Sequence, residues 1–377
     1  MSLADEEDYD LFDSCELDPA SGVLPERPIS DSPILADHTS FHLGGRAKRF
    51  VVARTEAEIL DEVKRADDAG EPLLVLSGGS NMLIADEGFD GTVLQIATRG
   101  VNGEISGCGG AVMNIAAGEN WDDFVQLAIS REWRGAEALS GIPGLVGSTV
   151  IQNVGAYGAD IGELVYRVRT WDRQERSYRT FANADCKFSY RDSIFKHSRM
   201  PGSPTGRYVV LEVTLQFLLG TMSMPIRYAE LAHALGVKVG EHAPAQKVRD
   251  EVLALRRGKG MVIDPDDHDT WSAGSFFTNP IVDADEAAQL PADAPRFDAG
   301  AGKVKLSAAW LIDHAGFHKG FGNGPAQLSS KHTLALTNRG AARATDVIAL
   351  AREIRDGVHQ AFGVALVPEP VLVGLSL

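Results

Sequence analysis

Cysteine is scarce in this 377-residue chain: Cys15, Cys108 and Cys186 are the only three, far apart and without a CxxC spacing. That pattern argues against a disulfide framework and against a structural zinc site, and it fits a reducing compartment. No run approaches the roughly 18 uninterrupted apolar residues of a membrane helix, and the N-terminus lacks a basic stretch followed by an apolar one. A cytoplasmic protein without a membrane partner is therefore expected. Positive charge is also in deficit, with 36 Lys and Arg against 52 Asp and Glu and a net charge of −16. Neutralising nucleic-acid phosphates takes clustered cations, so a general nucleic-acid partner is disfavoured. Small anions remain open to it, because backbone N–H groups and a few local cations bind them even inside an acidic protein.

With 44% hydrophobic and 23% charged residues, the composition is that of an ordinary globular enzyme or binding protein. The length exceeds that at which a single core stops growing, which predicts two or three domains. Residues 1–31 are acidic, interrupted by proline and without period, and read as a disordered tail with order beginning near Ile34. Thr55 and Glu58 then form a capping-box pattern, followed by Ile59, Val63 and Ala66 at helical spacing, and Pro72 introduces a strand over Leu73–Leu76. This helix-to-strand order predicts an α/β layer. A second helix is expected over Asn120–Trp133 with Trp121, Phe124, Val125 and Ala128 on one face. A third is expected to be capped by Thr345, with Val347, Ala351, Ile354 and Val358 buried and Gly363 past its end.

Two glycine-rich loops carry the functional signal. Ser77, Gly78, Gly79, Ser80 and Asn81 follow the apolar strand, where glycine lets backbone N–H groups approach an anion such as a diphosphate. The pattern is neither Walker A nor G-x-G-x-x-G, and a plain tight turn explains it equally well. The second loop, SGIPGLVGSTVIQNVGAYG over Ser140–Gly158, sets five glycines around one proline. Backbone would line such a surface, as the wall of a flavin ring requires; a string of structural turns is the alternative. Two such loops in one chain favour a bound cofactor.

Six segments then fall in one order: GGSNML (Gly78–Leu83), the Ser140–Gly158 loop, SYRDSIFK (Ser189–Lys196), AGSFFTNP (Ala273–Pro280), AAWLID (Ala308–Asp313) and VPEP (Val367–Pro370). In this the chain resembles the UDP-N-acetylenolpyruvoylglucosamine reductase family, type I, from about Ile34 to its end. The resemblance implies an α+β protein: a two-subdomain FAD-binding fold of the vanillyl-alcohol oxidase type over 32–96 and 97–224, and a third α+β domain over 225–360 that binds a UDP-sugar. Residues 361–377 would return to the active site. It further implies non-covalent FAD, NADPH as co-substrate, no metal, and a monomer that reduces UDP-N-acetylglucosamine enolpyruvate to UDP-N-acetylmuramate.

Site residues follow by matching motifs. Ser77, Gly78, Gly79, Ser80 and Asn81 would hold the FAD diphosphate. Gly141, Ile142, Pro143, Gly144, Gly147, Ser148, Asn153, Gly155, Ala156 and Tyr157 would wall the flavin. Ser275 matches the family's proton donor, Arg191 the arginine that meets developing charge, and Glu369 the catalytic glutamate, which should have a raised pKa. The usual L-E-P-E-V reads here Leu366-Val367-Pro368-Glu369-Pro370, so the second glutamate is kept and the first is Val367. Tyr190, Tyr228 (lid loop), Arg256, Lys259 and Asn279 would contact the substrate. Thr278 stands where the family often has lysine. His314 and His318 are four apart, but Gly316 between them ends the helix, so they should not share a face. The rival readings are an FAD-dependent oxidase of the same superfamily, and a non-catalytic nucleotide-sugar-binding protein.

Overall fold

The computed structural model describes residues 17–198, 200 and 203–377. Its first layer is a parallel sheet in which Phe89–Ile96 lies between Ala47–Ala53 and Leu73–Leu76. The helix Glu56–Asp68 packs on this sheet through Ile59, Val63 and Ala66, all fully buried. Its capping box forms as the sequence predicts: Thr55 Oγ1 accepts the Glu58 N–H at 3.2 Å and the Glu58 carboxylate accepts the Thr55 N–H at 3.1 Å.

The second layer is an antiparallel sheet ordered Asp18–Gly22, Val101–Ser106, Gly110–Ala116, Tyr208–Leu219, Val165–Asp172, Ser177–Ala182, with Trp133–Arg134 also paired to Tyr208–Leu219. The helix Trp121–Ser130 covers it, burying Trp121, Phe124, Val125 and Ala128, and Asn120 Oδ1 caps its start by accepting the Asp123 N–H. Trp133, read from the sequence as the end of that helix, belongs instead to a strand.

The tail requires a correction. Residues 1–16 lie outside the described residues, but Asp18–Gly22 pairs in register with Val101–Ser106, and Leu24 is buried in the main core. Order thus begins well before Ile34. A local reading missed this because the strand DPASG is polar and held by ladder hydrogen bonds to a distant edge, not by its own pattern. Cys108 is disulfide-bonded, a single bond and not the framework that the sequence argues against. Cys186 is a free, buried thiol.

The third part follows the long strand. The helices Ala229–Leu235 and Ala245–Gly258 pack together through Leu231, Val248 and Val252. A three-stranded antiparallel sheet, Ile281–Asp283, Lys303–Leu306 and Arg296–Asp298, precedes the helices Ala308–His314 and Ala344–Phe362. The last helix starts one residue before Thr345: Arg343 is its N-cap, and the Asp346 carboxylate accepts the Arg343 N–H at 2.7 Å. Asp is the stronger competitor for that end because its charge also complements the helix dipole. Finally, Val371–Val373 pairs in parallel with Met82–Ile84, returning the C-terminus to the first glycine loop.

Candidate active site

The first glycine loop leaves the strand Leu73–Leu76 and turns back through Gly79, whose φ of +58° and contact with the His38 carbonyl leave no room for a Cβ. A Cβ on Gly78 would lie 2.5 Å from Gly144 Cα, so the two glycine loops touch backbone to backbone. Ser80 Oγ ties them by donating to Pro143 O at 3.1 Å. Together they line a cavity of about 500 Å³, reached by Ser77–Asn81, Gly147, Ser148, Gln152, Lys196 and Glu369. The Ser77 hydroxyl oxygen is buried without a hydrogen-bond partner. A glycine cradle with an unmet polar atom fits an extended polar ligand such as a dinucleotide.

A second cavity, about 170 Å³, shares Ser80, Asn81, Gln152 and Glu369 with the first and adds Ile142, Pro143, Gly155, Arg191, Arg256 and Ser275. Three distant segments meet here. Phe276 N–H donates to Leu334 O at 2.7 Å and Glu369 N–H donates to Phe276 O at 2.8 Å, while Val371 N–H donates to Asn81 O at 3.0 Å. The C-terminal segment is thereby stitched to both the serine loop and the first glycine loop. Phe276 and Phe277, almost fully buried, anchor the backbone that presents Ser275.

Arg191 sits in a tight loop with φ of +53°, a conformation uncommon outside glycine. Its Nε lies 3.0 Å from Glu369 Oε1, and its Nη2 donates to Gly155 O at 2.8 Å. Lys196 Nζ supports the loop by donating to Arg191 O at 2.8 Å and to Gln152 Oε1 at 3.2 Å. Burial pushes the Glu369 carboxyl above its usual range, while Arg191 and Lys196 pull it back. Desolvation and the neighbouring cations thus act on this carboxyl in opposite senses. Burial lowers Arg256 to about 10, so it stays cationic at neutral pH. It donates to Met261 O at 2.9 Å, yet its buried Nε has no partner, as suits a cation that awaits an anion.

Other residues singled out from the sequence lie elsewhere or are occupied. Tyr190 OH accepts the Asn279 N–H at 3.3 Å, and Asn279 Oδ1 accepts the Ala308 N–H at 2.9 Å, capping the helix that follows. Tyr228 is 46% exposed and meets Tyr157 edge to face at 5.6 Å, while Lys259 is paired with Glu230. Tyr157, Tyr228 and Lys259 thus form a cluster beside the serine cavity and do not line it. Asn153 spends both ends of its amide on Ser189 O and Gly162 N–H, Gly141 N–H is taken by Asp122, and Ala156 lies in a two-residue strand. Thr278 hydrogen-bonds Val367 O. His314 faces Trp310 O and His318 faces Asp313, and among the described residues no cluster of His, Cys, Asp and Glu is placed to hold a metal. No described helix is long and apolar enough to cross a membrane. Sequence reasoning assigned no role to Gln152 or Lys196. Lys196 stood within SYRDSIFK, whereas Gln152 carried no signal, being one amide among small residues.

Residues 47–177 match a family described as FAD binding domain, and residues 264–373 match one described as UDP-N-acetylenolpyruvoylglucosamine reductase, C-terminal domain. The UDP-N-acetylenolpyruvoylglucosamine reductase of Streptomyces coelicolor is 51% identical over 95% of this chain and 94% of its own. A crystal structure of UDP-N-acetylenolpyruvylglucosamine reductase from Thermus caldophilus shares the fold, with a TM-score of 0.59 at 24% identity, covering 95% of this chain and 99% of that one. The reductase of Cutibacterium acnes is 56% identical over 91% of this chain and 90% of its own. Identity at that level across nearly the whole length carries more than a shared fold, and the chain belongs to the UDP-N-acetylenolpyruvoylglucosamine reductase family.

Proposed function

We propose that this chain reduces UDP-N-acetylglucosamine enolpyruvate to UDP-N-acetylmuramate with NADPH and FAD, a step of peptidoglycan precursor synthesis. The observation that carries the reading is the meeting of Arg191, Ser275 and Glu369 on one cavity that opens onto the glycine cradle. In this reading residues 32–96 and 97–224 hold FAD, 225–360 hold the sugar nucleotide, and 361–377 close the site.

Ser77–Asn81 and the loop of Ile142–Gly155 hold the FAD, which when bound supplies the hydride for one carbon of the enol ether. The Ser275 hydroxyl gives its proton to the neighbouring carbon. A serine is a weak acid in water, but it can protonate a far more basic carbanion held against it. Arg191 neutralises charge that develops on the substrate's carboxylate, and its fork suits two oxygens. Glu369, whose carboxyl burial pushes above its usual range, shares a proton with the enolate oxygen. Arg256 supplies the cation for the diphosphate, and Tyr228 and Lys259 close over the nucleotide from the flank.

The test is anaerobic. The yellow protein is bleached with NADPH, freed of nucleotide and mixed with the enolpyruvyl substrate. Rapid return of the oxidised spectrum with UDP-N-acetylmuramate formed is the expected result. Bleaching without return would overturn the substrate assignment, and a colourless protein would overturn the cofactor assignment.

A further inference from the structure

Arg256 reaches the serine cavity from the helix Ala245–Gly258, and something must fix that helix along its axis for the guanidinium to stay there. The neighbouring contacts through Val248 and Val252 are apolar, and such burial is non-directional, so it does not by itself orient a guanidinium. Two turns before Arg256 stands Arg249, only 5% exposed. Its Nη1 donates to Asp122 Oδ1 at 2.6 Å, and its Nη2 donates to Asp122 Oδ2 at 2.9 Å and to Gln126 Oε1 at 3.2 Å. Asp122 Oδ1 also accepts the Gly141 N–H at 2.6 Å. One carboxylate therefore joins the helix Trp121–Ser130, the first glycine of the second glycine loop, and the helix that carries Arg256.

The helical geometry makes this joint act on Arg256. Seven residues advance about 10 Å along the axis and fall about 20° short of two full turns, so Arg249 and Arg256 lie on one face. That face meets the glycine loop again at Gly141, where a Cβ would lie 2.7 Å from Leu253 Cδ2 and 3.4 Å from Arg256 Nε. A bidentate guanidinium–carboxylate pair fixes both distance and orientation, which a single point contact does not.

We propose that Arg249, acting through Asp122, is a positioning residue that sets Arg256 against the glycine loop and thereby tunes the site's affinity for the substrate's diphosphate. The proposal rests on the sugar-nucleotide reading of the cavity given above. Arg249 touches neither cavity itself. The pair Arg27–Asp123 supplies an internal control: it clamps the same helix with two hydrogen bonds of 2.6 Å, but no element of the site hangs on it.

The experiment uses the full-length flavin-loaded protein, with UDP as the probe for the dissociation constant and the enolpyruvyl substrate for steady-state kinetics. Arg249→Met is expected to raise the UDP dissociation constant and the substrate KM by about tenfold or more while flavin content and kcat stay near wild type. Arg249→Lys should recover part of the loss, and Arg27→Met should change neither constant. Should Arg249→Met lose its flavin, Asp122→Asn keeps an acceptor oxygen for Gly141 while it loses the charge and one of the two acceptors for Arg249, and it is expected to weaken UDP in the same way. Unchanged UDP affinity in both Arg249→Met and Asp122→Asn, or an equal loss in Arg27→Met, would overturn the proposal and leave the functional reading standing. Wild-type protein that does not bind UDP would overturn both.

Discussion

Gly78→Ala is the sharpest perturbation of the cofactor cradle. The added methyl carbon would lie 2.5 Å from Gly144 Cα and 3.3 Å from that residue's N and C. Ordinary carbon contacts sit at about 3.5–4.0 Å, so the two loops must part by about 1 Å. The neighbour is backbone and cannot rotate away as a side chain would, and Gly144 itself has a φ of +121° that restricts its own adjustment. Overpacking of this kind costs about 1–3 kcal/mol. If the strain is released by opening the cavity that both loops line, it appears as weaker FAD binding by about 5- to 150-fold. The assay is titration of apoprotein with FAD, followed by flavin fluorescence, beside a thermal melt of the apoprotein. Gly324→Ala is the control, because the nearest atom to a Cβ there is 4.0 Å away, its backbone is not left-handed, and it lines neither cavity. Wild-type FAD affinity in Gly78→Ala would refute the claim that the touching loops form the cofactor site.

Ser275→Ala should leave bleaching by NADPH intact and slow the return of colour with substrate by several orders of magnitude, since only the second half-reaction needs the proton; equal slowing of both halves would remove Ser275 from its role. Burial lowers His332 to about 4 from 6.5, and its ring accepts the Leu334 N–H at 3.0 Å. Between those values the unfolded chain binds the proton and the folded one does not, so stability present above pH 6.5 is lost as pH falls toward 4, by at most about 3 kcal/mol. Denaturant midpoints should therefore fall less steeply with acid in His332→Gln, and parallel curves would show that the ring is not held neutral. Leu24→Ala should cost about 2 kcal/mol in chemical denaturation, the low end of the range because the edge segment can relax; a loss near zero would mean that the segment does not dock.

Much of the local structure was legible from the chain alone. The capping box at Thr55, the buried stripe of Trp121, Phe124, Val125 and Ala128, and Gly363 closing the last helix all depend on residues within one or two turns. The glycine loops were legible as loops, but that Gly78 and Gly144 touch was not, since 66 residues separate them. Reading Thr345 as the cap failed because Asp346, one residue on, competes for the same helix end with a full charge. The strand Asp18–Gly22 was missed because its partner strand Val101–Ser106, distant in the sequence, supplies the stabilising ladder.

The sequence by itself determined the residue types on which the chemistry depends and the order of six motifs, because these are properties of neighbours along the chain. Tertiary structure alone decided that Arg191, Ser275 and Glu369 share a cavity, that Tyr228 and Lys259 stand beside it, and that Asp122 is held by Arg249. The reason is physical: each of those relations runs through a long-range contact, such as the parallel pairing of Val371–Val373 with Met82–Ile84, whose partner no local pattern names.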